Sequence, residues 1–263
     1  MTEFEWLQGR DPRPMLELVG ARASERKLRL FASACCRRIW PLLTDPRSRA
    51  AVEWAELQAD GQADGSGWDA VRVAAREAVF AADLAAVDDA WASHAAYAAE
   101  AAIRATEPGG CGALRTALAC ASAVVDSVWE AEFAAQCRLL RDLFGNPLRP
   151  VRCDPAWVSG RRGSVANLAK TIYAERRFED LPRLANALER AGCTTAAVLD
   201  HCRGPVPHVP GCWVVDALLG AEERTVRRRE GAGVVPGKSE GAQVSAGKER
   251  ARILSLRFQA RRL

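Results

Sequence analysis

The chain has 263 residues, of which 49% are hydrophobic and 27% are charged. This balance is typical of a globular protein with a buried core, and it excludes a largely disordered chain. Only 6% of the residues are aromatic, and alanine is the most frequent residue. These proportions exclude a mainly β fold and predict one large helical domain or two small ones.

The positive charge of the chain is concentrated at its C-terminal end. The net charge is +4, and the segment 222–263 holds 11 basic and 5 acidic residues, against 26 basic and 28 acidic residues before it. The first 221 residues are therefore nearly neutral. A nucleic-acid-binding surface spread over the fold is not expected.

The cysteines and the N-terminal segment indicate the cellular setting. Nine cysteines are present, an odd number, and several lie in apolar helical stripes. The segment MTEFEWLQGRDP lacks the apolar stretch of a secretory signal, and no run of 18 apolar residues occurs. The expectation is a cytoplasmic protein with reduced thiols and no membrane association.

Helix signals are clear in the first half of the chain. Asp11-Pro12 and Asp45-Pro46 each place a capping side chain before a proline at the first helical position. Ser24 precedes a helix with apolar residues every three or four positions and with its basic residues on the opposite side: Arg26, Lys27, Arg29, Arg37 and Arg38. Further helices are predicted over 46–59, over 68–106 as one long helix or two end to end, and over Ala113–Phe144.

A second helical group is predicted after the Gly145-Asn146-Pro147 break. Its helices are expected at Val165–Arg176, Leu181–Ala191, Thr195–Cys202 and Trp213–Leu219, with the Pro-rich loop CRGPVPHVPGC before the last one. The predicted fold is all-α, a bundle of about eight to ten helices with the Ala113–Phe144 helix near its centre. It divides into an N-terminal subdomain (1–146), a C-terminal subdomain (147–221) and a basic Gly/Arg-rich tail (222–263) predicted to be disordered.

Several stretches resemble a paralogous family of planctomycete-type bacteria with GC-rich genomes, a family of unknown function. They are SERKLRLFASACCRRIWPLLTDPRSRAAVE, LLRDLFGNPLRPV, IYAERRFEDLPRLANALERAGC and HCRGPVPHVPGCWVVDALLG. The resemblance covers about residues 1–221 and stops at the tail. It implies an α-helical bacterial protein, and it assigns no catalytic or binding residue.

The strongest chemical candidate is a possible zinc site in the Pro-rich loop, where His201 and Cys202 are followed by His208 and Cys212. Zinc takes four nitrogen or sulfur ligands in a tetrahedron, and Cys202, His208 and Cys212 could supply three. The fourth would be His201, or else Cys193 or Cys153. No C-x2-C pair is present, so the alternative interpretation is that both loop cysteines pack as apolar residues.

Other constellations are weaker. A Cys–His nucleophilic pair needs an orienting third group, which the sequence does not identify. The segment Ser159–Ser164, with Arg161 and Arg162, resembles an anion cradle, but no strand precedes it and the P-loop lysine is missing. No small-molecule substrate is indicated, and His94 in an Ala-rich helix is expected to be packed or at the surface.

Three functional hypotheses follow. The first is a non-enzymatic interaction or scaffold protein with an unknown protein partner, because no constellation supplies nucleophile, base and stabiliser together. The second is a structural zinc-binding protein built on the Cys202-His208-Cys212 loop. The third is weak nucleic-acid binding through the arginine-rich tail, which is disfavoured because only Phe258 could stack on a base.

The tail hypothesis has a direct test in stability. Residues 224–263 carry no sustained apolar stripe, so few buried contacts should be lost when they are deleted. We expect the deletion to change the melting temperature little, as measured by circular dichroism. A large decrease would show that the tail packs on the bundle.

Overall fold

The computed structural model describes residues 1–20, 22–63, 67–86, 90–124, 128–159, 164–205 and 207–221. This part of the chain is helical and contains no strand, which confirms the predicted all-α class. Its thirteen α-helices are α1 Glu3–Gln8, α2 Pro12–Gly20, α3 Glu25–Arg38, α4 Pro46–Ala59, α5 Trp68–Ala85, α6 Ala90–Arg104, α7 Gly109–Ser122, α8 Trp129–Phe144, α9 Pro155–Ser159, α10 Ser164–Ala174, α11 Leu181–Arg190, α12 Ala196–Arg203 and α13 Trp213–Leu219. None of the helices in these ranges has the length and apolar content that crossing a bilayer requires.

The predicted caps explain where several helices begin and end. The Ser24 side chain accepts a hydrogen bond from the Lys27 amide at 3.2 Å, and Asp45 accepts one from the Arg47 amide at 2.8 Å. Gly220 ends α13 in the left-handed conformation, with φ of 60°. Local sequence therefore defines these boundaries.

The helix count exceeds the predicted eight to ten because two long predicted helices are each divided and because the short helices α1 and α9 are added. The single helix expected over Ala113–Phe144 is in fact two helices, α7 and α8. The intervening sequence VVDSV is rich in β-branched and short polar residues, which disfavour helix continuation. Likewise 68–106 forms α5 and α6, which pack side by side rather than end to end.

The apolar side chains form two clusters. The first contains Trp6, Phe31 and Leu140, and the second contains Ile172, Leu188 and Val215. The predicted boundary near residue 146 largely separates these clusters, yet both lie within one compact unit, Met1–Thr225. The other unit, Val226–Leu263, and the predicted tail as a whole lie outside the described residues.

A buried ionic network joins the two clusters, and it overturns the expectation for the basic residues of α3. Arg26 and Lys27 are 7% and 6% exposed. The Arg26 guanidinium donates hydrogen bonds to Asp216 on α13 at 2.6 Å and to the Tyr173 hydroxyl on α10 at 2.6 Å. It also donates to Asp60, just after α4, at 3.1 Å. The Lys27 ammonium lies 2.7 Å from the Asp216 carboxylate.

A second group of long-range ion pairs, formed by one carboxylate and two arginines, connects α3, α4 and the residues just after α10. The Glu56 carboxylate, 6% exposed, accepts hydrogen bonds from Arg37 at 2.9 Å and from Arg176 at 2.6 Å. Burial raises the pKa of Glu56, but the two arginines outweigh burial and hold this pKa below its usual 4.5. Glu56 is therefore ionised in the folded protein at neutral pH.

Replacing Asp216 with Asn should destabilise the fold by about 3 to 5 kcal/mol, because Lys27 would remain buried without a counter-charge and Arg26 would keep only Asp60. Urea denaturation of the variant and the parent protein measures this difference. Asp200→Asn, an exposed change on α12, is the matched control and should cost little. An Asp216→Asn variant within about 1 kcal/mol of the parent would show that the network contributes no net stability.

Glu56 should make stability depend on pH in the acidic range. Because its folded pKa is lowered, its contribution is fully present above the unfolded pKa and is lost as pH falls through the folded pKa. Glu56→Gln should therefore cost about 1 to 2 kcal/mol at pH 7, with a difference from the parent that shrinks steadily below about pH 4.5. Denaturant titrations at several pH values test this, and exposed Glu53→Gln is the control. A difference independent of pH would contradict the assignment.

Candidate metal centre

Four side chains capable of binding metal converge beneath the Pro-rich loop. Asp142 lies in the last turn of α8, His201 lies on α12, His208 lies in the loop, and Cys212 directly precedes α13. One ligand atom from each residue lies within 4.8 Å of the corresponding atoms of the others. The side chains of Asp142, His208 and His201 are 1%, 5% and 13% exposed, and Cys212 is fully buried.

The backbone near Cys212 is held by Lys27. The Lys27 ammonium donates hydrogen bonds to the carbonyl of Gly211 at 2.5 Å and to the carbonyl of Leu143 at 2.9 Å. Gly211 has φ of 92°, and a Cβ there would lie 2.8 Å from side-chain atoms of both Leu30 and Leu143. Glycine suits this position because a residue with a side chain would be strained at this positive φ and its Cβ would clash with the two leucines.

The distances among the four side chains suit a compact coordination sphere. The His201 Nε2 atom lies 3.2 Å from the Cys212 sulfur and 3.2 Å from the Asp142 carboxylate. The His208 Nδ1 atom lies 2.5 Å from Asp142 Oδ1 and 4.0 Å from the Cys212 sulfur. In a tetrahedral zinc site, bond lengths of about 2.0 to 2.3 Å separate neighbouring ligand atoms by about 3.3 to 3.6 Å. The observed separations between ligand atoms lie on both sides of this range. Side-chain shifts of less than about 1 Å would therefore place the four atoms around a zinc ion.

Asp142 is the acceptor at the centre of the group. The Oδ1 atom of Asp142 lies 3.2 Å from His201 Nε2 and 2.5 Å from His208 Nδ1. The Oδ2 atom accepts a hydrogen bond from the Val209 amide at 2.9 Å. Burial raises the pKa of Asp142, but the hydrogen bonds from His201 and His208 outweigh it and lower the pKa below the usual 3.8. A buried anion beside two imidazoles and a thiol is a suitable environment for a cation.

Cys212 does not have the properties of a free nucleophile. Burial raises the pKa of its thiol well above the usual 9.0, and the Asp142 charge raises it further. The amides of Val215 and Val214 lower this pKa, but by less. The group Cys212, His201 and Asp142 resembles a nucleophile, base and orienting acid in composition, yet its sulfur is inaccessible to a substrate and protonated at neutral pH.

The structure brings together three of the four predicted ligands. His201, His208 and Cys212 belong to the group, whereas Cys202 does not: it is buried in the second apolar cluster, where burial raises the pKa of its thiol to about 12. Cys193 packs in that same cluster and Cys153 lies against it, so neither supplies the fourth ligand. The second ring nitrogen of His208, Nε2, is buried and has no hydrogen bond to any described residue.

Asp142 is the ligand that the sequence analysis missed. It lies 66 positions from His208 along the chain, so no local spacing connects the two residues. A usable signal was its place between Leu140 and Leu143 on the apolar side of α8, where a carboxylate needs a buried partner. The other sequence candidates lie elsewhere: His94 is on α6, and residues 160–163 of the Ser159–Ser164 segment are outside the described ranges.

Comparison with known proteins places the chain in no family. No protein-family model, no curated protein and no solved structure matches it. The function must therefore be argued from the site.

Proposed function

We propose that this protein binds one zinc ion through Asp142, His201, His208 and Cys212, and that the ion has a structural role. The observation that carries the proposal is the convergence of four ligand atoms within 4.8 Å, contributed by helices α8 and α12 and by the loop that ends at Cys212.

The donor set favours zinc among the common biological cations. Two imidazole nitrogens, one sulfur and one carboxylate oxygen are borderline-soft ligands, whereas magnesium and calcium prefer sites made only of oxygen. Four protein ligands complete a tetrahedron, and none of the four positions is left for water or substrate. A closed site of this kind stabilises the fold rather than performing catalysis.

The structural role follows from which segments the four residues join. Asp142 belongs to α8 of the first apolar cluster, while His201 and Cys212 flank the Pro-rich loop of the second. An ion bound by all of them would tie α8, α12 and the start of α13 together. A reducing cytoplasm, which the sequence favours, would keep the Cys212 sulfur available as a ligand.

Metal content and thermal stability test the proposal. The purified full-length chain should contain about one zinc per molecule by inductively coupled plasma mass spectrometry. After chelator treatment, zinc added at about 100-fold over its dissociation constant should raise the melting temperature by about 5 to 10 °C. Cobalt(II) should give a sulfur-to-metal absorption band, since one ligand is a thiolate.

Variants separate this site from adventitious binding. His201→Ala, the least buried ligand, and Cys212→Ala should both lose the zinc and the zinc-dependent rise in melting temperature. Cys202→Ala is the matched control, because Cys202 is equally buried but lies outside the group, and it should keep both. The proposal is wrong if the parent protein neither retains nor takes up zinc, or if Cys212→Ala binds zinc as well as Cys202→Ala does.

A further inference from the structure

A large cleft lies beside the metal centre and shares His201 with it. The cleft has a volume of about 1250 Å³ and runs between the N-terminal helices, the segment that follows α8, and helices α12 and α13. Its walls include five basic and only two acidic side chains, Glu3 and Asp216, so their net charge is +3. The chain up to residue 221 is almost neutral, and the cleft is thus a local concentration of positive charge.

The basic side chains of the cleft fall into two groups. Lys27 and Arg141 are held by backbone carbonyls on its floor. The side chains of Arg22 and Arg152 are exposed and form no ion pair or hydrogen bond with any described residue, while the side chain of Arg149 is 78% exposed and lies 3.5 Å from Glu3. Three exposed guanidinium groups at the surface of a cleft are suited to binding carboxylates.

The segment that carries two of these arginines also offers backbone donors. Residues 150–154 have no regular secondary structure, and Val151, Arg152 and Cys153 line the cleft. Their amides donate no hydrogen bond to any described part of the chain. Unpaired amides in a segment that lines a groove suit an extended peptide, because backbone pairing supplies affinity independent of side-chain identity.

Apolar surface lies within the same cleft. The indole of Trp213 is half-buried and its ring centre lies 5.2 Å from that of His201, while Phe144 is also half-buried. An aromatic residue that is partly exposed in a groove can anchor an apolar side chain of a partner. The cleft therefore combines apolar surface with exposed cationic side chains.

We propose that this cleft binds an extended acidic peptide segment of a partner protein, with carboxylates on Arg22, Arg149 and Arg152 and backbone carbonyls on the amides of residues 151–153. The volume exceeds the range of about 300 to 1000 Å³ that small-molecule pockets occupy. The unpaired amides match a peptide backbone better than a nucleic acid, which would need several stacking aromatics along the groove. The proposal does not depend on a bound metal.

Fluorescence anisotropy with the full-length protein tests the proposal. The probe is a fluorescein-labelled peptide of alternating glutamate and leucine, and a lysine–leucine peptide of equal length is the control. The acidic peptide should bind, its affinity should fall as salt is raised, and the basic peptide should not bind. Arg22→Glu combined with Arg152→Glu should weaken binding at least about tenfold.

Arg190→Glu is the matched control, because Arg190 is exposed on α11 and lies outside the cleft. It should bind the acidic peptide like the parent protein. Amide chemical shifts of residues 151–153 should move on titration, which a purely electrostatic attraction elsewhere would not cause. Absence of binding, equal loss in Arg190→Glu, or tighter binding of a single-stranded RNA oligomer than of the acidic peptide would each overturn the proposal.

Discussion

The structure depends on a buried charge cluster in which Asp216 and Asp60 neutralise Arg26 and Lys27. Arg26, Lys27 and Asp216 are each less than 10% exposed. A buried charged side chain destabilises the fold unless hydrogen bonds or opposite charges replace the water that it has lost. Arg26 meets this requirement with groups from α13, α10 and the end of α4. Lys27 meets it with Asp216 and two backbone carbonyls. Helices α3, α8, α10 and α13 and the end of α4 must therefore take their positions together.

The same lysine positions both halves of the candidate metal centre. Its two carbonyl acceptors belong to Leu143 and Gly211, which are the direct neighbours of Asp142 and Cys212. The ammonium thus holds the end of α8 and the start of α13 at a fixed separation, with no room for a side chain at Gly211. The proposed zinc ion and the lysine would act on the same two backbone segments, so loss of either should loosen the Pro-rich loop.

The metal centre and the cleft differ in hydration although they share His201. The ligand group is almost dry, and in the absence of solvent its carboxylate remains ionised only through the two histidines and the Val209 amide. The cleft is open, and its arginines remain hydrated until a ligand displaces water. A dry site favours a fixed structural ion, whereas a wet cationic groove favours exchangeable binding of a partner. The two proposals therefore give the two regions different roles.

The sequence by itself determined the helical class, many helix ends and three of the four residues in the ligand group, because propensity, capping and the spacing around the Pro-rich loop are local properties. It did not reveal that α7 and α8 are separate or that Cys202 packs away from the site. Only the tertiary structure could bring Asp142 to His208 across 66 positions and Asp216 to Arg26 across 190 positions. No local pattern encodes such pairs, since the burial that forces a charged side chain to find its partner exists only once the helices have packed.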